Sequence, residues 1–420
     1  MNILEIFKTA TLRKKILFTL LVIFIFRLLA HIPVPGVDVT AVREFLKSSV
    51  LFGFFDLFSG GGLQNFSIVT LGVGPYINAS IIMQLLTIMI PKLEELSKEG
   101  ETGREQINTY TRYITFPLAL LQSYGVYFFL SKQNVLQSLP TLKLIILILT
   151  LTCGTLFLMW VGELVTEYGV GNGISLLIFV GIISSLPSSF VKFVSTVNSD
   201  NFLNILLFAG ISLLVIAGVV LVNEGTRNIP LEYGRRSAGP QRVSSYLPVK
   251  INQAGVIPII FAIAVVLIPS SAAGPLQASS VAILQKIGFF ISSNFMPSTV
   301  SYNVLYFLLV VGFTYFYTSV QFPPEKISED IKKRGGFVPG IRPGKSTTQY
   351  LRAVMNRITL VGAVFLGLVA ILPFLVQTGV GVTTVTIGGT GLLIVVSVVL
   401  ETIRQMESLV VTKNYEGFLN

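Results

Sequence analysis

The chain has 420 residues, of which 52% are hydrophobic and only 12% are charged, with a mean hydropathy of +0.77 and a formal net charge of +10. Soluble domains carry about 25% charged residues, so a water-soluble enzyme of this length is disfavoured. The single cysteine, Cys153, excludes an internal disulfide, and with the single histidine, His31, it leaves no set of residues for a cysteine-rich or multi-histidine metal site. We therefore expect a membrane protein without a metal or cofactor.

Apolar stretches recur along the whole chain. An α-helix needs about 20 mostly apolar residues to cross the hydrocarbon core of a bilayer. The stretches that reach or approach this length lie at residues 16–33, 73–90, 112–130, 143–161, 173–190, 202–222, 254–272, 302–321, 357–377 and 386–403. The sequence thus predicts an all-α polytopic membrane protein with ten transmembrane helices.

Arg27 is the one clear charge inside a predicted span. A charged side chain at membrane depth is costly unless it finds a partner. We expect a structural role, in which Arg27 pairs with backbone carbonyl groups or a lipid headgroup. Ion-coupled transporters usually place several charges near the membrane midplane, so their chemistry is absent from this chain.

Residues 51–70 are apolar and aromatic but too short to span the membrane, and glycines occupy positions 60–62. A glycine triplet interrupts a helix. The segment is either a short helix folded back into the membrane or an amphipathic segment on its surface. Irregular backbone at membrane depth requires burial in protein or a cavity, so a cavity becomes plausible.

Polar side chains interrupt several spans, and two roles are open for them. Those of the second span lie near helical spacing and can share one face, while others lie in the third span and at the start of the seventh. They are Asn78, Ser80, Gln84, Thr87, Gln122, Asn252 and Gln253. Hydrogen bonding between helices is the commoner role, and an openable polar seam is the alternative.

Two long loops are strongly basic. Residues 223–250 carry a net charge of +3, and residues 322–357 carry +5 around a glycine- and proline-rich centre. Such loops are usually functional or disordered. They either set topology and attract anionic lipid, or they bind a large acidic or polyanionic partner.

The positive charges also predict the orientation. With ten spans, 23 of the 30 lysines and arginines fall on the side that holds both termini, and six fall on the other side. Cytoplasmic loops carry the excess of lysine and arginine. Both termini are therefore expected in the cytoplasm.

Several long strings resemble the SecY family of protein-conducting channels, in order and over essentially the whole chain. They are IPVPGVD at 32–38, FSGGGLQNFSIVTLGVGPYINASIIMQLL at 58–86, KEGETGREQINTYTRY at 98–113, GTLFLMWVGELVTEYGVGNGISLLIF at 154–179, LPVKINQAGVIPIIFA at 247–262 and GGFVPGIRPG at 335–344.

The resemblance implies two pseudo-symmetric halves of five helices, residues 1–195 and 202–420, around an hourglass pore. A short re-entrant plug helix at about 53–68 would close the pore from the outer side. Its core positions are Asp56, Leu57, Phe58, Ser59, Gly60, Gly61, Gly62 and Leu63. The halves would open sideways at a lateral gate, whose polar positions match Thr87, Gln122 and Asn252.

The family's apolar pore ring maps onto six aliphatic residues. They are Val73, Ile77, Ile174, Ile178, Ile260 and Ile394. Val73 departs from the commoner isoleucine but keeps its chemistry. A ring of this kind excludes ions because an unpaired ion loses its hydration there, and it closes by dewetting.

The resemblance also implies partners. Arg342 matches an arginine tied to transport driven by the motor ATPase SecA, and Arg235, Arg236 and Arg242 are candidate ribosome contacts. Pro240 and Gln241 stand where the family commonly has a further basic residue. SecE would clamp the two halves, SecG would bind at the periphery, and signal sequences, nascent polypeptides and the lipid bilayer would meet at the gate.

The sequence therefore favours a non-enzymatic channel that translocates unfolded secretory polypeptides and releases membrane segments sideways. It would reside in the bacterial inner membrane or, alternatively, in the thylakoid membrane. A secondary transporter of a small solute is the alternative, and the scarcity of charge at the midplane disfavours it. A membrane hydrolase would need a nucleophile–base pair, for which His31 offers no evident partner.

Overall fold

The computed structural model of the chain describes residues 10–35, 37–48, 59–133, 135–136, 139–195, 202–233, 245–277, 279, 281–295, 298–380 and 389–417. In this part the chain is mainly helical, and it forms two compact units. The first unit comprises residues 1–195 and 398–420, and the second comprises residues 196–397. The division of the chain into two pseudo-symmetric halves, residues 1–195 and 202–420, stays a prediction.

The first unit is a set of packed helices. Its helices are α1 (Ala10–Leu29), α2 (Val39–Ser48), α3 (Gly74–Met89), α4 (Pro91–Lys98), α5 (Glu101–Lys132), α6 (Thr141–Tyr168) and α7 (Gly173–Ser195). Helix α6 is central, because α1, α3, α5 and α7 all pack against it. Helix α4 leaves α3 at a bend of 102°. The bend follows from Pro91, which disfavours helical backbone at the extended residue Ile90.

One apolar cluster joins α2, α5 and α6 to the segment that precedes α3. Its buried members are Val34, Val42, Leu63, Phe66, Leu130, Leu136, Leu147 and Leu151. Helix α2 begins after Asp38, whose Oδ1 accepts a hydrogen bond from the backbone N–H of Thr40 at 2.9 Å. The hydrogen bonds from the side chain and backbone of Thr40 lower the pKa of Asp38. A short side chain of this kind favours the start of a helix.

The second unit combines apolar helices with a small sheet. In chain order its elements are α8 (Phe202–Glu224), β1 (Thr226–Tyr233), β2 (Ser245–Lys250), α9 (Ile257–Gln277), α10 (Ala282–Asn294), α11 (Val300–Gln321), α12 (Pro324–Lys333), β3 (Gly336–Phe337) and α13 (Lys345–Val380). The last helix, α14 (Gly389–Gly417), belongs to this unit up to Ser397 and to the first unit from Val398. Helix α13 packs on α11, α8 and α12.

The two basic loops fold together where the structure describes them. The sheet has the order β2-β1-β3 with antiparallel pairing, and Ile229 lies opposite Leu247. Ile229 and Leu231 are buried between more exposed neighbours, as the two-residue period of a strand requires. Both pack with Ile331 of α12 and Leu351 of α13. The loops are therefore one packed layer rather than two separate connectors.

All ten predicted spans coincide with a helix, namely α1, α3, α5, α6, α7, α8, α9, α11, α13 and α14. In the described residues, four helices are long and apolar enough to cross a membrane by length and composition. The bent pair α3–α4 brings that number to five, and shorter apolar helices lie at Gly173–Pro187, Ala209–Glu224 and Ile257–Val266. The chain has the make-up of a polytopic membrane protein. Several helices, α5 and α13 among them, extend well beyond their predicted apolar cores.

Candidate functional site

The described part of the predicted plug is a tight run of turns. We call residues 59–73 the glycine turn, and its first five residues are Ser59 to Leu63. Gly60 and Gly61 adopt φ values of 68° and 82°, a region that favours glycine. From residue 60 onward the backbone forms turns, so the predicted helix at 53–68 does not extend through this part. Asp56, Leu57, Phe58 and the rest of 53–58 lie outside the described residues.

Arg27 reaches the glycine turn from α1. Its Nη1 donates a hydrogen bond to the carbonyl oxygen of Gly60 at 2.8 Å. Of the two partners expected for this arginine, backbone carbonyl groups or a lipid headgroup, the structure shows a backbone carbonyl. A guanidinium keeps its charge under all ordinary conditions, so the contact is a charge-assisted hydrogen bond.

Four of the six predicted ring residues lie in the first unit. Val73 immediately precedes α3 and is almost fully buried, and the backbone N–H of Ile77 donates to its carbonyl at 3.1 Å. Ile174 and Ile178 lie one turn apart on α7, where Ile178 is buried. Ile174 packs against Gly162 of α6, since a Cβ there would lie 2.5 Å from Ile174 Cδ1. The two residues of each pair, Val73 with Ile77 and Ile174 with Ile178, are four positions apart. They therefore lie about one helical turn apart on the same face.

The other two ring residues lie in the second unit. Ile260 is half-buried in the first turn of α9, and Ile394 is buried in α14. Like the first four, both side chains are purely aliphatic and offer no hydrogen-bonding group to water or ions. The side chains of the six predicted ring residues are thus uniformly aliphatic.

The polar gate positions have different environments. Thr87 Oγ1 donates to the carbonyl of Met83 at 2.8 Å within α3, and Gln122 is half-buried on α5. Asn252, just before α9, is buried, and its Nδ2 donates to Asn223 Oδ1 at 2.7 Å and to the Gly255 carbonyl at 3.2 Å. Hydrogen bonding between elements is therefore the role that Asn252 has within its unit.

Sequence reasoning missed the rest of this network. Asn223, near the end of α8, donates a hydrogen bond from Nδ2 to Ser397 Oγ of α14 at 2.8 Å. Its Oδ1 accepts the hydrogen bond from Asn252, just before α9. Asn223 therefore links the end of α8 both to the first part of α14 and to the start of α9. The available signal was that Asn223 and Ser397 interrupt otherwise apolar runs. Their separation of 174 positions gives no local sign of pairing.

The predicted docking arginine lies on an ordered tip. Arg342 is exposed, while its carbonyl accepts a hydrogen bond from Thr347 Oγ1 at 3.0 Å. Ser328 Oγ donates to the Gly344 carbonyl at 3.0 Å and so fixes the tip to α12. These hydrogen bonds fix the backbone of the tip, and the Arg342 guanidinium extends from it as an exposed group. Arg235, Arg236 and Arg242 lie outside the described residues.

In the part of the chain that the structure describes, groups of three or more histidine, cysteine, aspartate or glutamate side chains able to hold a metal ion are absent. A salt bridge between Arg112 Nε and Glu163 Oε1, 2.8 Å apart, joins α5 to α6. This pair is part-exposed and serves as a link between helices.

Comparisons with known proteins agree along the whole chain. The profile of the SecY family matches residues 67–403. The protein translocase subunit SecY of Aquifex aeolicus is 41% identical over 428 residues, which cover 99% of this chain and 98% of that protein. A solved SecY channel, whose plug domain is described as stabilising the closed state and maintaining a membrane seal, has a TM-score of 0.62 at 18% identity and covers 94% of this chain and 92% of its own.

A ribosome-bound structure shares the fold as well. Sec61 in the canine ribosome–channel complex from the endoplasmic reticulum has a TM-score of 0.57 at 16% identity, with 94% of this chain and 92% of that chain covered. The fold is thus that of the protein-conducting channels, a class of polytopic α-helical membrane proteins. Given the match over nearly its full length, the chain belongs to the SecY family.

Proposed function

We propose that this chain is the channel subunit of a protein translocase, which conducts unfolded secretory polypeptides across a membrane and releases membrane segments sideways into lipid. The observation that carries the proposal is 41% identity over 99% of the chain to a translocase subunit. The uniform aliphatic chemistry of the six ring positions is consistent with it. The chain itself would supply a path rather than a reaction.

The seal is proposed to come from the ring and the plug. Side chains such as Ile77, Ile178 and Ile260 would line a constriction that water and ions leave, because a hydrophobic constriction dewets. A moving polypeptide would displace flexible aliphatic side chains, which would then close around it. The segment at about 53–68 would cover the ring from the outer side while no substrate is present.

The lateral gate is proposed to involve Thr87, Gln122 and Asn252. Polar side chains at membrane depth favour contacts with other polar groups over contacts with lipid. A gate lined by them can close on itself and can also accept the backbone of an inserting signal sequence. Asn252 would act through its position at the start of α9, since its side chain bonds to Asn223.

The packed layer formed by the two basic loops is proposed to bind partners on the cytoplasmic side. Arg342 lies exposed on a tip whose backbone is fixed, which suits docking of the motor ATPase SecA. Arg235, Arg236 and Arg242 would contact ribosomal RNA, to which positive charge is attracted. The solved Sec61 relative was determined with a ribosome. SecE and SecG are the proposed membrane partners.

The proposed location is the bacterial inner membrane, with both termini in the cytoplasm. The charge asymmetry of the sequence supports this orientation. The alternative location is a thylakoid membrane, whose stroma corresponds to the cytoplasm.

Complementation tests the proposed function. The chain, expressed in a bacterium whose own SecY is depleted, should restore export of a secreted reporter and growth. Well-expressed protein that inserts in the membrane and associates with SecE, but restores no export, would refute the proposal. Accumulation of a small solute instead would favour the secondary transporter.

A further inference from the structure

Helix α10 (Ala282–Asn294) lies in the connection between α9 and α11, outside every predicted span. Its 13 residues reach about 20 Å at 1.5 Å per residue. This length is too short to cross a hydrocarbon core of about 30 Å. An apolar helix of this length is typical either of a protein core or of the membrane interface, so its exposure decides between the two.

The two sides of α10 differ in chemistry. Helical spacing places five apolar residues on one side and four polar residues, together with Phe289, on the other. The apolar residues are Ile283, Leu284, Ile287, Phe290 and Ile291, and the polar residues are Gln285, Lys286, Ser292 and Ser293. We call Ile283, Ile287 and Phe290, which follow one another at intervals of four and three positions, the apolar stripe.

The apolar stripe is open in the isolated chain. The exposed fractions are 71% for Ile283, 44% for Ile287 and 62% for Phe290. Gly288 is the one buried residue of α10. A helix that belonged to the protein core would bury its apolar side. The stripe therefore faces outward, as surfaces that meet a partner or a membrane do.

Hydrogen bonds hold α10 beside the ends of two predicted spans. Gln277, the last residue of α9, donates from Nε2 to the Gly288 carbonyl at 3.1 Å and to Ser292 Oγ at 2.6 Å. Thr299, the residue that caps α11, donates from Oγ1 to the Asn294 carbonyl at 2.6 Å. Because α9 and α11 are predicted to cross the membrane, these two ends lie near one membrane surface. The bonds therefore hold α10 at the level of that surface.

The contact between α10 and α9 is close and uses a different side of α10 from the stripe. A Cβ at Gly288 would lie 2.6 Å from the backbone nitrogen of Gln277. Glycine thus allows the two helices to approach at this point. The contact occupies the side of α10 that carries Gly288 and leaves the apolar stripe uncovered.

Charge is almost absent around the stripe. Residues 251–324, which contain α9, α10 and α11, include a single charged residue, Lys286. At the roughly 25% charged residues of soluble proteins, the connection 278–299 alone would carry about five. This composition does not suit a loop in water or a docking site for a charged protein. It suits a lipid surface, where hydrocarbon accepts the apolar side chains and a lysine extends to the headgroups.

Exposed apolar residues continue along the chain from α10 onto α11. Val300, Val304 and Leu308 are four positions apart, so they share one face of α11, and all three are exposed. On a helix that crosses a membrane, such a face meets lipid. The stripe is thus followed directly by a surface that lipid is expected to cover.

We infer that α10 is an interfacial helix, which lies along the membrane surface with the apolar stripe in the upper hydrocarbon of one leaflet and Lys286 at the phosphate groups of the phospholipids. The proposed orientation makes this the outer leaflet. Through its bonds to Gln277, α10 fixes the end of α9 that is remote from Ile260. The inference goes beyond the proposed channel function and requires only that the chain spans a membrane.

Depth-dependent quenching of a fluorescent probe tests this placement. The full chain, co-expressed with cysteine-free SecE, carries Ile283→Cys, Ile287→Cys or Phe290→Cys in a Cys153→Ser background, and each variant is labelled with a nitrobenzoxadiazole probe. The matched control is Ser293→Cys, an exposed position on the polar side of the same helix. All four labelled positions are exposed, so substitution there should leave the fold intact.

The labelled chains are reconstituted in vesicles of phosphatidylethanolamine and phosphatidylglycerol. Probes on the apolar stripe should be quenched several-fold more strongly by phospholipid brominated in the upper part of its acyl chains than by iodide present on both sides of the membrane. The probe at the control position should show the reverse order. This pattern would support the interfacial placement.

Every other pattern contradicts it. Stripe probes that iodide quenches as strongly as the control would place α10 in water. Stripe probes protected from both quenchers would be covered by protein, either a partner or a second copy of the chain. Quenching that is strongest with bromine at the ends of the acyl chains would place α10 near the membrane midplane.

The channel function is judged separately, by translocation of a preprotein through unlabelled channels with Cys153→Ser. Channels that translocate it while their stripe probes lie in water would overturn the interfacial helix alone. Channels that translocate nothing while the probes show the expected order of quenching would count against the channel function alone.

Discussion

Asn252 donates a hydrogen bond to Asn223 Oδ1 across 2.7 Å, and this bond ties the start of α9 to the end of α8. Asn223 in turn donates to Ser397 on α14, three residues after the ring position Ile394. Two helices that carry proposed ring residues are therefore joined through one polar network. The network gives the second unit a defined arrangement of Ile260 and Ile394.

Breaking this network should destabilise the protein. Asn252→Leu removes the hydrogen bond to the half-buried Asn223 amide oxygen, and the loss of such a bond costs about 0.5–1.5 kcal/mol. Unfolding in mixed detergent should show that loss for Asn252→Leu and for Asn223→Leu. Because the two residues share one bond, the double variant should lose less than the sum, by about 0.5–3 kcal/mol. Strict additivity would contradict the coupling, and Gln253→Leu serves as the neighbouring control.

The exposed tip at Arg342 should act in transport rather than in folding. Arg342→Glu reverses a charge on a backbone that Thr347 and Ser328 hold, so stability should change by no more than about 0.5 kcal/mol. Translocation driven by SecA should fall sharply at normal expression and normal SecE association.

The matched control for this variant is Lys332→Glu, which makes the same change in net charge on exposed α12 of the same layer. It should reduce translocation much less. Equal loss in both variants would show that the overall charge of the layer matters and that Arg342 has no special position.

The ring should fail as a seal when it becomes polar. Replacing Ile77 and Ile260 together by asparagine would hydrate the constriction and should raise resting ion conductance in planar bilayers. The control is Leu214→Asn, on an exposed face of α8, which should lower stability without opening a conductance. If the double variant folds and its resting conductance is unchanged, the six residues are ordinary packing.

Thiol labelling tests the orientation. Ser346→Cys lies on the exposed part of the layer and should react with membrane-impermeant reagents from the cytoplasm only. Cys153 is exposed on α6 in the isolated chain, so lipid rather than packing should protect it from the same reagents on either side. Reaction of Ser346→Cys from outside would reverse the assigned topology.

Local sequence properties predicted much of the helical fold. The apolar stretches marked the positions of ten helices, and the glycines at 60–62 marked a run of turns. The cost of burying a charge predicted that Arg27 has a partner, either backbone carbonyl groups or a lipid headgroup. These features depend on residues that are neighbours in the chain, or on one residue's own chemistry.

The remaining features depend on distant contacts. The strand β1 shows alternation, yet its partner β3 lies about a hundred positions later, and nothing local identifies that pairing. The hydrogen bond between Asn223 and Ser397 spans 174 positions. The strained backbone of Phe66 follows from the cluster around it, since phenylalanine itself disfavours that conformation.

Cross-linking to a translocating chain tests the central claim most directly. A preprotein with one cysteine, stalled during translocation, should form a disulfide with channels that carry Ile77→Cys or Ile394→Cys in a Cys153→Ser background. Channels that carry Leu214→Cys on the exposed face of α8 should form none. Cross-links at both ring positions and none at the control would place the polypeptide in the proposed pore. Cross-links absent from the ring, in channels that still translocate the preprotein, would contradict the account.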